Sequence, residues 1–294
     1  MEMTWFYWAL LSAGFLAVVT ISAKVGLRGI DSDAATLVRT VIITCLLAVF
    51  LSYAGKWEHL GSLTAKNWTF LILSGLATCI SWAAYFKALQ MGSASKSATI
   101  EKFSIVLVAL ISIAFLNERP DTAEWTGIGL ITCGVLMLAF KGQPSGKTDG
   151  YSETKWLVWA LLSSFFLALT TIFAKVGLHG IDSDFATFIR TLVIICVLSA
   201  TALRYGKWRS ISEFNRKNWL FLMISGLATS ISWLAFFKAL QMGEAAKVAT
   251  VGKFSVVLVA VCSVLLLKER LSKAEWAGIA VITAGVGVLA LRHG

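Results

Sequence analysis

Apolar residues run along this chain in stretches of roughly twenty, separated by short polar connections, and this spacing predicts membrane-spanning helices. In the first half the stretches cover Trp5–Ala23, Ala34–Ala54, Trp68–Leu89, Ser97–Leu116 and Ala123–Phe140. At 1.5 Å rise per residue, about twenty residues cross a hydrocarbon core of about 30 Å. The fourth stretch is short of that length: its uninterrupted apolar part, Phe103 to Leu116, would span only about 21 Å. To cross, it must take in Glu101 and Lys102. The first stretch has no basic leader and no small-residue cleavage site, and it recurs mid-chain, so it reads as a retained helix.

The same pattern then repeats without a gap. WALLS at Trp8 returns at Trp159, AKVGL at Ala23 returns at Ala174, and GIDSD at Gly29 returns at Gly180, so the offset is a constant 151. Over positions 8–139, roughly 77 of 132 residues are identical to their partners. Five spans are an odd number, so the second copy must enter the membrane from the opposite face. The predicted fold is an all-α membrane protein with ten transmembrane helices in two inverted five-helix repeats. It divides into residues 1–140, a cytoplasmic linker at 141–155, and 156–294; the linker is rich in glycine and polar residues and holds one of the two prolines.

Charge supports the inversion. Of 26 Lys and Arg, 16 form eight repeat-related pairs that cannot orient the chain. Nine of the other ten lie in connections after odd-numbered helices, and Arg292 is at the tail. The positive-inside rule then places the linker in the cytoplasm and both termini outside, in a multi-pass protein of the cell (inner) membrane.

Composition narrows the function. With 57% hydrophobic and 14% charged residues over 294 positions, the chain is neither disordered nor an ordinary soluble enzyme. A net charge of +10 is dispersed singly between apolar runs, which argues against nucleic acid as a partner. The five cysteines, Cys45, Cys79, Cys133, Cys196 and Cys262, read as buried thiols. His59, His179 and His293 are too scattered for a metal site. No nucleophile–base pair or phosphate loop is present, so neither an enzyme nor a cofactor is expected.

Two motifs close the halves: NER at Asn117 and KER at Lys268, each followed by AEW and a glycine-bearing helix. They resemble the signature of EamA-type proteins of the drug/metabolite transporter superfamily. Glu118, Arg119, Glu124, Trp125, Gly127 and Gly134 carry the match in the first half, and Glu269, Arg270, Glu275, Trp276, Gly278 and Gly285 in the second. Each half is similar to the half-size members that must pair. The resemblance implies a ten-helix bundle, a central cavity, alternating access, small organic cargo and, unlike the charge count, cytoplasmic termini. The third to fifth helices also resemble the small multidrug exporters. The glutamate that couples protons there has no counterpart in Ser12–Ala23 or Ser163–Ala174.

The candidates for binding or coupling are Glu101, Lys102, Lys253, Lys87, Lys238, Trp82, Trp233, Ser81, Ser232, Thr78 and Thr229. Glu101 is an ionisable group within a span, and its repeat partner is Gly252; it either faces a cavity or neutralises Lys102 or Lys96. Lys102 and Lys253, and Lys87 and Lys238, suit an anionic group or snorkel to the interface. Ser74, Thr78, Ser81 and Tyr85 share one face of the third helix, and Ser225, Thr229 and Ser232 reproduce most of it; packing explains that stripe and so does a polar pathway. Trp82 and Trp233 flank it. The GIDSD aspartates are expected to cap the second and seventh helices, with Arg39 and Arg190 placed to pair with them or with lipid phosphate. The glycines of the fifth and tenth helices read as a close-packed seam between halves that form an internal pseudo-dimer.

The expected function is a secondary transporter, in the export direction, moving a small organic metabolite between two rocking halves. Its expected partners are the solute, membrane lipid and a coupled proton. The alternatives are a flippase for a polyprenyl-phosphate lipid carrier and a non-transporting scaffold subunit.

Overall fold

The computed structural model describes residues 4–26, 30–91, 103–140, 153–267 and 273–291. Among them it is all-helical: α1 (Thr4–Gly26), α2 (Ser32–Tyr53), α3 (Ala65–Met91), α4 (Ser104–Leu116), α5 (Thr122–Phe140), α6 (Glu153–Gly177), α7 (Ser183–Arg204), α8 (Arg216–Met242), α9 (Ala245–Gly252), α10 (Ser255–Leu267) and α11 (Lys273–Leu291). Two short 3₁₀ segments, Lys56–Ser62 and Lys207–Glu213, follow α2 and α7. Among the described residues seven helical stretches are long and apolar enough to cross a membrane, one of them, Ala245–Cys262, running from α9 into α10. Ser104–Leu116, Thr122–Met137 and Trp276–Leu289 are apolar but shorter. Glu101, Lys102 and most of the expected linker lie outside the described residues.

The fourth span of the second half, a single run by hydropathy, is two helices. The chain turns between Gly252 and Ser255, where the Lys253 N–H bonds Thr250 O at 3.0 Å and the Phe254 N–H bonds Val251 O at 2.9 Å. Hydropathy averages over such a break, which is why the apolar run concealed it.

The most extensive helix contacts all join opposite halves, and they exchange under the repeat offset: α1 packs on α8 as α6 packs on α3, while α2 meets α7 and α5 meets α11. Asn67, early in α3, donates its side-chain amide to Gly177 O and His179 O, both at 2.9 Å, at the end of α6. Its repeat partner Asn218 donates to Gly26 O at 2.7 Å. Start meets end in both cases, so these pairs are antiparallel.

α2 and α7 are also antiparallel. Asp31 and Asp182 each cap their helix as expected, Asp31 accepting from the Asp33 and Ala34 N–H groups and Asp182 from those of Asp184 and Phe185. Gly55 and Gly206 end α2 and α7 in the left-handed region at φ 66° and 67°, which glycine enters without steric cost. That turn carries Lys56 to Asp182 at 2.9 Å and to Asp184, and Lys207 to Asp31 at 2.6 Å and Asp33 at 3.5 Å. The aspartates therefore clamp the halves together besides capping. The Asp31 bond holds the Lys207 ammonium above its ordinary value. Burial alone would raise the Asp31 carboxyl, but Lys207 and the capping N–H groups outweigh it and hold it below the usual range.

The glycine seam is present at α5 and α11. A Cβ on Gly134 would stand 2.7 Å from Ile282 Cγ1 and 2.8 Å from Gly278 O, and one on Gly285 would stand 2.7 Å from Ile131 Cγ1. Gly129 and Gly287 have nothing within 4 Å and lie off the seam. The cysteines correct an expectation: Cys45, Cys133 and Cys196 are exposed, and Cys79 and Cys262 are half-buried. A thiol is apolar enough to face hydrocarbon, so its place in an apolar run does not imply burial in protein.

Candidate functional site

A cavity of about 220 Å³ lies between the halves. Its wall comes from α1, α4, α6, α7, α8 and the α9–α10 turn. Arg190 enters it from α7, seven residues past the helix start and so about 10 Å along the axis. The side chain is buried at 5% exposure. Its Nε donates to Ser74 Oγ at 3.0 Å and its Nη2 to Thr78 Oγ1 at 2.5 Å. The guanidinium also lies over the rings of Trp233 and Phe237, 5.4 and 5.1 Å from their centroids. Arg190 thus binds α3 and α8 from α7, and neither Asp182 nor Asp184 holds it. Seven residues of helix carry it too deep to reach the aspartates, which corrects the expected pairing.

A second cavity, of about 250 Å³, is lined by Thr36, Arg39, Ser81, Trp82, Tyr85, Ser163 and Leu167. The repeat partners of all but Thr36 line the first: Arg190, Ser232, Trp233, Phe236, Ser12 and Leu16. Leu167 lines both. The two cavities are therefore repeat-related lobes that meet at one side chain, each carrying an intramembrane arginine, a tryptophan and paired serines. Each serine pair ties the halves together: Ser81 Oγ donates to Ser163 O, and Ser232 Oγ to Ser12 O, both at 2.9 Å.

The candidates separate on this geometry. Trp233, Ser232 and Lys253 line the first lobe, and Ser81 and Trp82 the second. Thr78 stands behind the first lobe as an acceptor for Arg190, and Thr229 donates to Ser225 O at 2.7 Å within its own helix. The stripe on α3 packs against α6, with Ser74 Oγ donating to Thr170 O at 2.8 Å. Lys87 is exposed, and Lys238 reaches Gln241 Oε1 at 3.5 Å; neither lines a lobe. Glu101 and Lys102 fall outside the described residues. The lobe arginines read as structural from sequence. The available signal was a lone Arg two turns inside an apolar run, kept in both copies.

The signature glutamates act at the end of the bundle where α8 gives way to α9. Glu118 accepts from the Ala245 N–H at 2.7 Å and the Ala246 N–H at 3.4 Å, so a residue of the first half caps a helix of the second. Lys247, in the first turn of α9, pairs with Glu124 at 2.5 Å and Glu244 at 3.3 Å. Lys175 closes the same end by donating to Leu240 O at 2.6 Å and to Gly243 O.

Comparison with known proteins agrees with this architecture. The model of the EamA-like transporter family matches residues 3–140 and again 154–291. An uncharacterized transporter of Sinorhizobium sp., named for the cobO 3' region, is 53% identical over 136 residues, which are 46% of this chain and 96% of that protein. A putative sugar uptake protein of Listeria innocua serovar 6a is 25% identical over 258 residues, 85% of this chain and 87% of that one. One solved crystal structure superposes with a TM-score of 0.79 at 15% identity, covering 99% of this chain and 97% of the other, a likeness of fold.

Proposed function

Because the chain belongs to the EamA-like transporter family, we propose that it is a secondary transporter whose ten spans form two inverted halves rocking about the paired lobes. The carrying observation is the lobe pair itself: two cavities related by the repeat, joined at Leu167, each with an arginine within a span. Intramembrane charge is costly, and inverted-repeat transporters bind cargo between their halves near the midplane. The antiparallel packing of α2 on α7 supports the inversion. The Lys253 turn, a helix break beside the first lobe, supports a binding role there. Cargo is a small organic metabolite, net movement is export across the cell (inner) membrane, and residue 101 supplies proton coupling. Neutral sugars belong among the solutes tested, given the relative in Listeria innocua.

Counterflow into proteoliposomes, using labelled organic acids, amino acids and sugars, tests this. Ala249→Phe fills the first lobe from its wall and should abolish counterflow while leaving the fold intact. Counterflow that is equal in this variant, or absent for every solute in the wild type, overturns the reading; everted vesicles report direction.

A second reading is favoured by one feature. A groove of about 400 Å³ between α2, α3 and α7 shares Thr36 and Trp82 with the Arg39 lobe, and its lining residues Ile80 and Tyr205 are exposed. Such a flank opening suits a lipid-carrier flippase, which translocation of a fluorescent polyprenyl phosphate would reveal.

A further inference from the structure

Arg39 and Arg190 occupy equivalent positions in unequal surroundings. Arg190 is committed to the protein through Ser74, Thr78 and two aromatic rings. Arg39 Nε is buried and has no hydrogen-bond partner. The counterpart of Ser74 does not rescue it, because Ser225 Oγ is itself buried and without a partner. One sequence difference accompanies the asymmetry. Thr170, whose hydroxyl lies 3.2 Å from Thr78 Oγ1, corresponds to Val19 in the first half. The hydroxyl network that seats Arg190 is thereby incomplete around Arg39.

A buried guanidinium N–H with no acceptor is costly, more so than a neutral donor. Among the described residues that line the lobe none is acidic. Asp33, on the adjoining groove, pairs with Lys207 at 3.5 Å. An unpaired guanidinium donor on the wall of a cavity suits an acceptor carried in by a ligand. A guanidinium fork matches the two oxygens of a carboxylate or phosphate, and Trp82 and Tyr85 on the same wall offer rings to the body of such a molecule.

We propose that the Arg39 lobe is the binding site for an oxyanion, carboxylate or phosphate, on the transported molecule, while Arg190 is held by the protein. The inference rests on the lobes being the transport path. It names the cargo class and divides the labour between the two arginines.

The test is equilibrium binding to the full chain in lipid nanodiscs, read by tryptophan fluorescence and calorimetry. The soluble probes are phenylacetate, phenyl phosphate and the neutral isostere phenylacetamide; farnesyl phosphate is the lipid probe. An oxyanion probe should bind at least about tenfold more tightly than phenylacetamide and lose at least about tenfold in Arg39→Gln. Arg39→Lys keeps the charge without the fork, recovers part of that loss, and serves if the glutamine variant fails to fold. Binding of farnesyl phosphate alone assigns the oxyanion to a lipid, and binding of the soluble probes assigns it to a solute. Equal binding of phenylacetamide, binding unchanged in both Arg39 variants, or no binding of any oxyanion probe overturns the proposal. Counterflow separates the two readings. Arg39-dependent binding in a protein that moves nothing overturns transport and leaves the site, whereas transport by a protein whose binding ignores Arg39 does the reverse.

Discussion

Truncating Ser74 and Ser225 to alanine removes the same hydroxyl from equivalent positions, yet the consequences should differ. Ser74 Oγ donates to Thr170 O at 2.8 Å and accepts from Arg190 Nε at 3.0 Å. Ser74→Ala strands a buried guanidinium N–H and loses one helix–helix bond. An orphaned buried donor costs about 1–3 kcal/mol, and an interhelical bond in a membrane about 0.6–1.7 kcal/mol. The expected loss is therefore about 2–4 kcal/mol. Ser225 Oγ has no partner to lose. Its removal relieves an unsatisfied group and raises helix propensity, so Ser225→Ala should be neutral or stabilising by about 0.5 kcal/mol. Reversible unfolding in a bilayer mimic, followed by tryptophan fluorescence, measures both. Equal destabilisation by the two variants would refute the asymmetry on which the division of roles between Arg190 and Arg39 stands.

Three further outcomes follow from the contacts between halves. Gly134→Ala should destabilise by about 1–3 kcal/mol, because its Cβ would meet backbone at 2.8–2.9 Å, while Gly129→Ala, with open space around it, should gain up to about 1 kcal/mol; the same unfolding assay compares them. The Asp31 and Asp182 carboxyls are held below the ordinary 3.8 and the Lys56 and Lys207 ammoniums above 10.5. Their stabilisation is thus complete between those values, lost as acid titrates the aspartates below 3.8, and lost again as base titrates the lysines above 10.5. Thermal stability against pH should be flat between these limits, and Lys56→Met with Lys207→Met should flatten the acid limb. Glu118→Ala should expose the first amides of α9 to hydrogen exchange at a cost of about 1–2 kcal/mol, and unchanged protection would remove Glu118 as its cap.

How much the sequence reveals depends on which property is asked of it. Apolar run length and the 151-residue offset are one-dimensional quantities, and α1, α2, α3, α6, α7 and α8 follow them closely. Capping by Asp31 and Asp182 is local chemistry, equally readable. The clamp partners Lys56 and Lys207 are not, because 126 residues separate Lys56 from Asp182 and only antiparallel packing brings them together. Ser81, Trp82, Ser232 and Trp233 were marked by the periodicity of their helices, which identifies a face without saying what it meets. Arg39 and Arg190 show the limit most clearly. Depth in a span signals a functional charge, but whether the guanidinium turns to a capping aspartate or into a cavity depends on crossing helices that no local pattern encodes.

The duplication itself argues for where function sits. Since the principal contacts run between halves, a polypeptide of one half's length would bury these faces only by pairing with a second copy. Two identical copies must build two identical lobes. Fusion removes that requirement: Asn67 and Asn218, Lys56 and Lys207, and five of the six repeat-related pairs on the lobe walls stay identical, while single positions on and near those walls differ. The exchanges are Val19 for the wall residue Thr170 and Tyr85 for Phe236, and in sequence Glu101 stands where the second half has Gly252 on the first lobe's wall. The first two each change what an adjacent group can hydrogen-bond by one hydroxyl, and neither disturbs a clamp. A scaffold, whose purpose is packing alone, gives no reason for two otherwise matched cavities to differ in polarity. A carrier of a lopsided molecule, with an oxyanion at one end and an apolar body at the other, requires that difference.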